Sequence, residues 1–526
     1  MLRKECLIAA LKAWLLPLAS GVLLAVALPP FNAAECGWIG LIPLLFAINK
    51  TTRGEAFRRG YLAGVVYFGL TTWWTVHVTI LGTVLLIAFL GLYFCAAAVI
   101  FSVAASLLAA RTTAGRNLLL AVVGTAWWVT LEWVRGVFMF GGFGWNGLGV
   151  SQHQTLPLIQ IAEITGVYGV SAMVCLVNFC IYFTLSRFIR QTASESLPKR
   201  LSWELYVGVG VVCAVFVYGG RAMRQAETTA RGLRIALVQG NIPQQVKFDP
   251  QEKPMILERY RRLSEKAALL KPELVIWPET ATPGALRYDF DSYSLATNAA
   301  ALANAHLLTG TMDITGDGKH TEWFNAAVLV QPDGRLAGMY HKIHLVVFGE
   351  YVPLRKIVPF FKWFTPIDGS FEQGRTHSVF RLGDLRFGAV ICFEDTLPDL
   401  YRRFVMQGVD FMVNLTNDAW FKESPAAELH LANAVFRAVE SRRPLVRGTN
   451  NGVSCIVDEF GFVNPRYKLP LHEEGLLVTE LPLPRQQRMT FYTQHGDWFV
   501  GLCAAISAVA ALAALRMLAT RVKSTP

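Results

Sequence analysis

Apolar runs about as long as a bilayer is thick follow one another through the first 220 residues, and this succession constrains the fold more than any other feature. A spanning helix needs about 20 mostly apolar residues. Candidates fall near 7–28, 36–49, 60–80, 83–109, 117–135, 156–186 and 203–220, and one more near 497–515 after a long polar stretch. With 53% of its 526 residues apolar and 17% charged, the chain is too oily for a soluble protein of this size. The segment 36–49 is short enough to be re-entrant, and 156–186 is long enough to tilt or to begin at the interface. A cleaved leader at 7–28 is the competing reading; six further apolar segments follow it and no small-residue cleavage site stands out, so a retained first helix is expected.

Lys and Arg are retained on the cytoplasmic side of membrane proteins. With Arg3 and Lys4 inside, an eight-helix arrangement also puts inside Lys50, Arg53, Arg58 and Arg59, then Arg111 and Arg116, then Arg187, Arg190, Lys199 and Arg200, and finally Arg516, Arg521 and Lys523. The region 221–496 then lies outside. The net charge of +11 is explained by these clusters rather than by a nucleic-acid-binding face. Nine cysteines, seven of them in apolar stretches and none in a CxxC pair, give neither a disulfide framework nor a zinc site. Glu132 and Arg135, one helical turn apart near the end of the fifth span, are expected to neutralise each other. The loop from Phe138 to Trp145, rich in Phe and Gly, suits a headgroup-level surface as an anchor or as part of a lipid route.

From residue 233 the pattern changes to short β-rich runs between polar helical segments. Strands are expected at 233–239, 274–277, 306–311, 325–331, 386–392, 409–415, 445–449 and 453–457, with helices at 252–270 and 426–441. This gives three regions: a helical bundle over 1–220, an extracytoplasmic α/β domain over 221–496, and a last helix with a basic tail over 497–526. Candidate chemistry sits where strands end. Glu279 follows Trp277-Pro278, Lys342 lies in Tyr340-His341-Lys342-Ile343-His344, and Cys392 closes an apolar strand ahead of Phe393-Glu394-Asp395. Thiol acyl transfer needs a carboxylate to take the sulfur's proton, a cation to stabilise the oxyanion and a thiol to hold the intermediate. Each residue alone reads more readily as ordinary structure: a buried small thiol, a solvated lysine, a strand-end charge. The set of three reverses those odds. His341 and His344 have ligand-like spacing but no third ligand beside them, so a structural role is expected and no metal. Cys455 reads as core.

Trp277-Pro278-Glu279, His341-Lys342 with Phe348-Gly349-Glu350, and Cys392-Phe393-Glu394 resemble the Glu-Lys-Cys set of the nitrilase superfamily. The membrane frame, Val238-Gln239-Gly240-Asn241-Ile242-Pro243-Gln244, Asn417-Asp418-Ala419-Trp420-Phe421 and Thr449-Asn450-Asn451-Gly452 narrow the resemblance to the apolipoprotein N-acyltransferase family. It implies a membrane helical bundle of about eight spans carrying a nitrilase-like α-β-β-α sandwich, in the bacterial inner membrane with the catalytic domain on the periplasmic side. It implies transfer of an acyl chain from a phospholipid to the amine of a diacylglyceryl-cysteine lipoprotein, with no cofactor, no metal and no nucleic acid, by a monomer. Carried over residue by residue, Cys392 is the nucleophile, Glu279 the base and Lys342 the oxyanion stabiliser, with Glu350, Glu394, Asn325 and Trp420 as supporting or substrate-binding positions. Two positions depart from the family pattern: Phe393 stands where Tyr is common, and Lys422 where Gly is usual. The aromatic segment Val358–Pro366, within 357–371, is expected either to dip into the interface or to cap the domain. A membrane-tethered amidase passing the acyl group to water is the alternative within enzymes, and a transporter with an accessory domain the alternative outside them; the few ionisable groups in the spans speak against the transporter.

Overall fold

The computed structural model describes residues 10–107, 113–138, 141–193, 202–224, 229–316, 321–352, 370–484 and 487–523. The chain divides into two compact units, one of Met1–Trp73, Leu81–Arg224 and Asp497–Pro526, the other of Trp74–Ile80 and Gln225–Gly496.

In the first unit, five helices among the described residues are long and apolar enough to cross a membrane: Ile80–Leu107, Ala114–Val137, Val167–Gln191, Trp203–Arg224 and Trp498–Thr520. The expectation of eight is not met by this measure, and the sequence explains why. The 36–49 candidate breaks into two short helices, Ala34–Gly37 and Ile42–Ala47, the second with proline in its first turn. The 60–80 candidate belongs to a helix that starts earlier, Arg53–Thr72, on a capping box between Thr52 and Glu55. Its first turns carry Arg53, Glu55, Arg58 and Arg59, and it tightens into a 3₁₀ turn at Trp73–His77. Within 7–28 the apolar helix is short, Ala13–Val26. The 156–186 candidate opens with two single turns, Leu156–Ile159 and Ala162–Thr165, before its long helix. Small residues let these helices meet closely. Gly60 and Gly64, one turn apart, lie against the Ile80–Leu107 helix, where a Cβ would stand 2.7 Å from the Phe94 carbonyl oxygen or 2.9 Å from Gly91 Cα.

Glu132 and Arg135 do not pair with each other as expected; both reach the chain that follows their helix. Glu132 accepts from the Ser171 hydroxyl (2.5 Å), the Leu148 amide (2.9 Å) and the Trp128 indole (3.2 Å). Arg135 donates to the Trp145 carbonyl at 2.8 Å and lies 5.2 Å over the Phe68 ring. Trp145 is itself buried, so this end of the loop packs into the bundle, while Phe138 at its other end is exposed. Residues 139 and 140 lie outside the described residues.

The second unit is a sandwich of two six-stranded sheets. Its strands are β1 (Thr229–Gln239), β2 (Leu274–Ile276), β3 (His306–Gly316), β4 (Thr321–Val330), β5 (Leu336–His341), β6 (Val379–Leu382), β7 (Leu385–Ile391), β8 (Phe411–Thr416), β9 (Leu445–Thr449), β10 (Cys455–Val457), β11 (Val463–Lys468) and β12 (Gly475–Pro484). One sheet runs β12-β1-β2-β3-β4-β5 and the other β11-β10-β9-β8-β7-β6. The central trios β1-β2-β3 and β7-β8-β9 are parallel and the outer strands antiparallel. Parallel strands covered on both faces read as continuous apolar runs, and Leu274–Ile276 and Phe411–Thr416 are buried throughout. The sheets meet closely at Gly448, where a Cβ would lie 2.8 Å from Ile276 Cγ2.

Helices Lys253–Leu269 and Phe290–Ala303 cover the first sheet, packing Ile256, Tyr260, Leu263, Ala296 and Ala300 against Val238, Val275, Trp277, Leu307 and Val328. Asp289 caps the second of them through the Ser292 amide (3.1 Å), and Asn304 ends it in the left-handed region. Helices Pro398–Met406 and Ala426–Ser441 belong with the second sheet, which completes an α-β-β-α sandwich. Cys455 is fully buried in β10. The aromatic segment 358–366 lies outside the described residues.

Candidate active site

Strand ends set the site. After β2, Trp277 and Pro278 lead to Glu279, whose main chain is pressed against Gly310 of β3. Gly310 donates to the Pro278 carbonyl (3.1 Å) and accepts from the Ala281 amide (2.8 Å). Any Cβ on it would stand 2.5 Å from the Pro278 oxygen and 2.6 Å from Glu279 Cα. Lys342 follows β5, and its carbonyl takes the Gly374 amide at 2.8 Å. Cys392 follows β7 as the first residue of a 3₁₀ turn, with φ +56°. A non-glycine residue in that region costs about 1–3 kcal/mol and persists where its surroundings hold it there.

The three side chains converge. Lys342 Nζ lies 2.9 Å from Glu350 Oε2, 3.0 Å from Glu350 Oε1 and 3.6 Å from Glu279 Oε1. The Asn325 amide of β4 donates to both carboxylates, at 2.7 Å to Glu279 and 2.8 Å to Glu350. Among the described residues Glu279 Oε2 is buried without a hydrogen-bond partner, which leaves it open to a proton donor. Burial disfavours the Lys342 ammonium, but Glu350 and Glu279 outweigh it and hold the group above the ordinary lysine range. Burial and the Glu279 carboxylate push the Cys392 thiol well above its usual value, with Lys342 and the Thr416 hydroxyl pulling the other way. The resting sulfur is therefore a thiol, and its reaction requires that a base take its proton.

Glu350 contacts Lys342, and Asn325 contacts both Glu279 and Glu350. Glu394 has a different place. It accepts from the amides of Ile343 and His344 (2.9 Å each), from the Ile391 amide (2.8 Å) and from the Tyr340 hydroxyl (2.9 Å). It is a brace that ties the chain after Lys342 to the strand before Cys392, and burial pushes its carboxyl up to about 7. Trp420 is half-buried on the 3₁₀ turn Asp418–Phe421 and makes no hydrogen bond to the three central side chains among the described residues. Phe393 turns its ring toward Lys342, 5.6 Å from Nζ. Lys422, at the family's glycine position, has φ +50°. His341 is structural, stacked on Phe324 and bonded to Asp313 at 2.8 Å. No cluster of possible metal ligands occurs among the described residues.

Two features escaped the sequence reading. Beneath Cys392, its carbonyl accepts from the Asn414 amide (3.1 Å) and from His430 Nε2 (3.2 Å). His430 is fully buried between Asp395 (2.7 Å) and Asp418 (3.1 Å), and Asp395 is paired in turn with Arg447. Burial opposes charge on the imidazole, but Asp395 raises it to about 9, so it is an imidazolium at neutral pH. This network holds the left-handed turn at the sulfur. The second feature is Lys247, in the loop after β1, whose ammonium donates to the Glu279 carbonyl at 2.9 Å. Its only sequence signal is a place in a loop that leaves a parallel strand's C-terminal end, as the loop carrying Glu279 does.

Residues 20–180 match the family described as apolipoprotein N-acyltransferase N-terminal domain, and residues 234–490 match carbon-nitrogen hydrolase. Among curated relatives, the apolipoprotein N-acyltransferase of Geobacter metallireducens is 36% identical, covering 96% of this chain and 95% of its own. Those of Allorhizobium ampelinum (32% identical; 85% of this chain and 86% of its own) and Methylococcus capsulatus (31%; 94% and 95%) are also similar. A solved amidase from Nesterenkonia sp. AN1 is 19% identical over 51% of this chain and 99% of its own, with a TM-score of 0.38. Relatives matched from end to end at this identity settle the kinship, and the chain belongs to the apolipoprotein N-acyltransferase family.

Proposed function

We propose that this chain moves an acyl group from a phospholipid, through a thioester on Cys392, to the α-amine of a diacylglyceryl-cysteine lipoprotein. Residues 1–220 and 497–526 anchor it in the bacterial inner membrane as a multi-pass protein, and 221–496 works as a monomer's catalytic domain on the periplasmic side. The observation that carries this reading is the meeting of Glu279, Lys342 and the strained Cys392 turn in one buried site. Glu279 takes the thiol proton on its open oxygen as sulfur attacks the ester carbon. Lys342, held by Glu350, faces the oxyanion, and the proton passes to the departing glycerol oxygen as lysophospholipid leaves. The lipoprotein amine then attacks the thioester, Glu279 takes its proton, and sulfur departs to be protonated again. Ping-pong kinetics follow.

The test uses a phospholipid with a labelled acyl chain and a diacylglyceryl peptide. Wild type is expected to trap label on Cys392 without acceptor and to deliver it to the peptide amine with acceptor; Cys392→Ala traps none, and Cys392→Ser transfers at most a trace. Release of labelled fatty acid in place of acylated peptide would instead make the chain a hydrolase.

A further inference from the structure

Lys247 inverts the usual order of its loop. Charged lysines stay at the surface and aromatic side chains go inside, yet Lys247 is 2% exposed while its neighbour Phe248 is 46% exposed. An ammonium has three donors, and among the described residues Lys247 Nζ makes one hydrogen bond, to the Glu279 main-chain carbonyl at 2.9 Å. The charges of Glu279 and Cys392 favour its ammonium form. We propose that Lys247 is a positioning residue of the acyl-transfer site, anchoring the main chain of Glu279 and supplying the second buried positive charge that lets Cys392 lose its proton.

The charges around the sulfur support this. Cys392 is faced by Glu279 after β2, Lys342 after β5 and Asp418 after β8, with Glu350 behind Lys342. Asp418 is matched by the His430 imidazolium. Lys342 faces the carboxylates of Glu279 and Glu350, and Glu394 also acts on it, so without Lys247 this buried group carries a net negative charge before any thiolate forms. Uncompensated charge in a buried site is strongly disfavoured. With Lys247 protonated the charges of Glu279, Glu350, Lys342 and Lys247 sum to zero, and moving the proton from Cys392 to Glu279 leaves the total charge of the site unchanged. Burial pulls Lys247 down to about 8, against the lift from Glu279 and Cys392, so the ammonium predominates at pH 7.

The inference rests on Cys392 as nucleophile, and two readouts on the full-length protein in detergent separate the claims. Alkylation of Cys392 by iodoacetamide, followed by peptide mass spectrometry, reports the thiolate; trapping of a labelled acyl group from phospholipid reports the reaction. Lys247→Met is expected to slow both at least tenfold at pH 7 and to move the alkylation profile to higher pH. Lys247→Gln, whose amide can donate to the Glu279 carbonyl but carries no charge, should remain well below wild type in both readouts. Lys247→Arg should recover more of both rates than Lys247→Gln does. Alkylation in Lys247→Met at the wild-type rate and pH profile would overturn the proposal, as would a Lys247→Gln protein at wild-type rates, since an uncharged anchor would then suffice. Thermal melting of Lys247→Gln keeps misfolding separate from lost charge. A wild type that alkylates normally but takes no acyl group from phospholipid would count against the proposed reaction and leave the role of Lys247 to the alkylation data.

Discussion

Replacing Gly310 with alanine is expected to disable the enzyme without touching any group that does chemistry. The added Cβ would lie 2.5 Å from the Pro278 carbonyl oxygen and 2.6 Å from Glu279 Cα, where ordinary contacts begin near 3.4 Å. Something must therefore move by nearly 1 Å. β3 cannot easily yield, because it is paired parallel to β2 and antiparallel to β4. The Glu279 segment is the freer side, and it is bonded to Gly310 through both Pro278 and Ala281, so the displacement passes to the carboxylate. A misplacement of about 1 Å at a reacting group costs roughly 100-fold, or about 2.7 kcal/mol of barrier, and overpacking of this kind costs about 1–3 kcal/mol of stability. The assay is single-turnover transfer of labelled acyl chain onto Cys392, with a thermal melt on the same preparation. Gly338→Ala on β5 serves as control, since its Cβ meets only the edge of the Phe380 ring at 3.2 Å. A folded Gly310→Ala protein acylating within threefold of wild type would refute the idea that Gly310 sets the position of Glu279.

His430 links stability to pH. Its folded value of about 9 lies above the ordinary 6.5, so the stabilisation is complete below about pH 6.5 and is lost as pH rises through 9. The melting midpoint of wild type should fall more steeply between these values than that of His430→Gln, and parallel curves would remove the imidazolium from the account. Lys422, with φ +50° and ψ −154°, occupies a region that glycine adopts freely. Lys422→Gly should raise stability by about 1 kcal/mol in denaturant titration, and a loss would mean that the lysine side chain contributes more than its backbone costs.

Where local pattern and tertiary demand agree, the fold was legible. The helix at 426–441 and the strand at 445–449 fall on the expected residues because their apolar positions repeat and are buried. β11 and β12 were not foreseen. They form the outer edges of the two sheets, where proline is tolerated, and Pro465, Pro482 and Pro484 disguise them. β5, with Ala337 and Gly338, has little strand propensity of its own and owes its form to pairing with β4. Three of the eight expected spans, 7–28, 36–49 and 60–80, are not among the five helices long and apolar enough to cross a membrane among the described residues, because an average over a window does not register a turn at 38–41 or four charges at the head of a helix. At the site, motif order brought Glu279, Lys342, Cys392, Glu350 and Asn325 into view. Lys247 and His430 stayed hidden, since nothing in a sequence distinguishes a lysine that stays in water from one that turns inward beneath a carboxylate.

The proton inventory explains why such a site can be buried. In the first half-reaction a thiol and an ester become a thioester and an alcohol; in the second, a thioester and an amine become an amide and a thiol. Neither consumes water, and in each the proton leaving the nucleophile is the one the leaving group needs, so a single carboxylate with one open oxygen can carry it across. Glu279 has that oxygen, and its other one is held by Asn325. Excluding water also strengthens the attraction between Lys342 and a developing oxyanion, because fewer solvent dipoles screen it. A hydrolase with the same three groups must admit water to finish its cycle, whereas a transferase has to keep water away while its thioester waits for an amine. Cys392 is 8% exposed, and substitutions that open this site should raise the ratio of fatty acid released to peptide acylated before they abolish acylation of the sulfur.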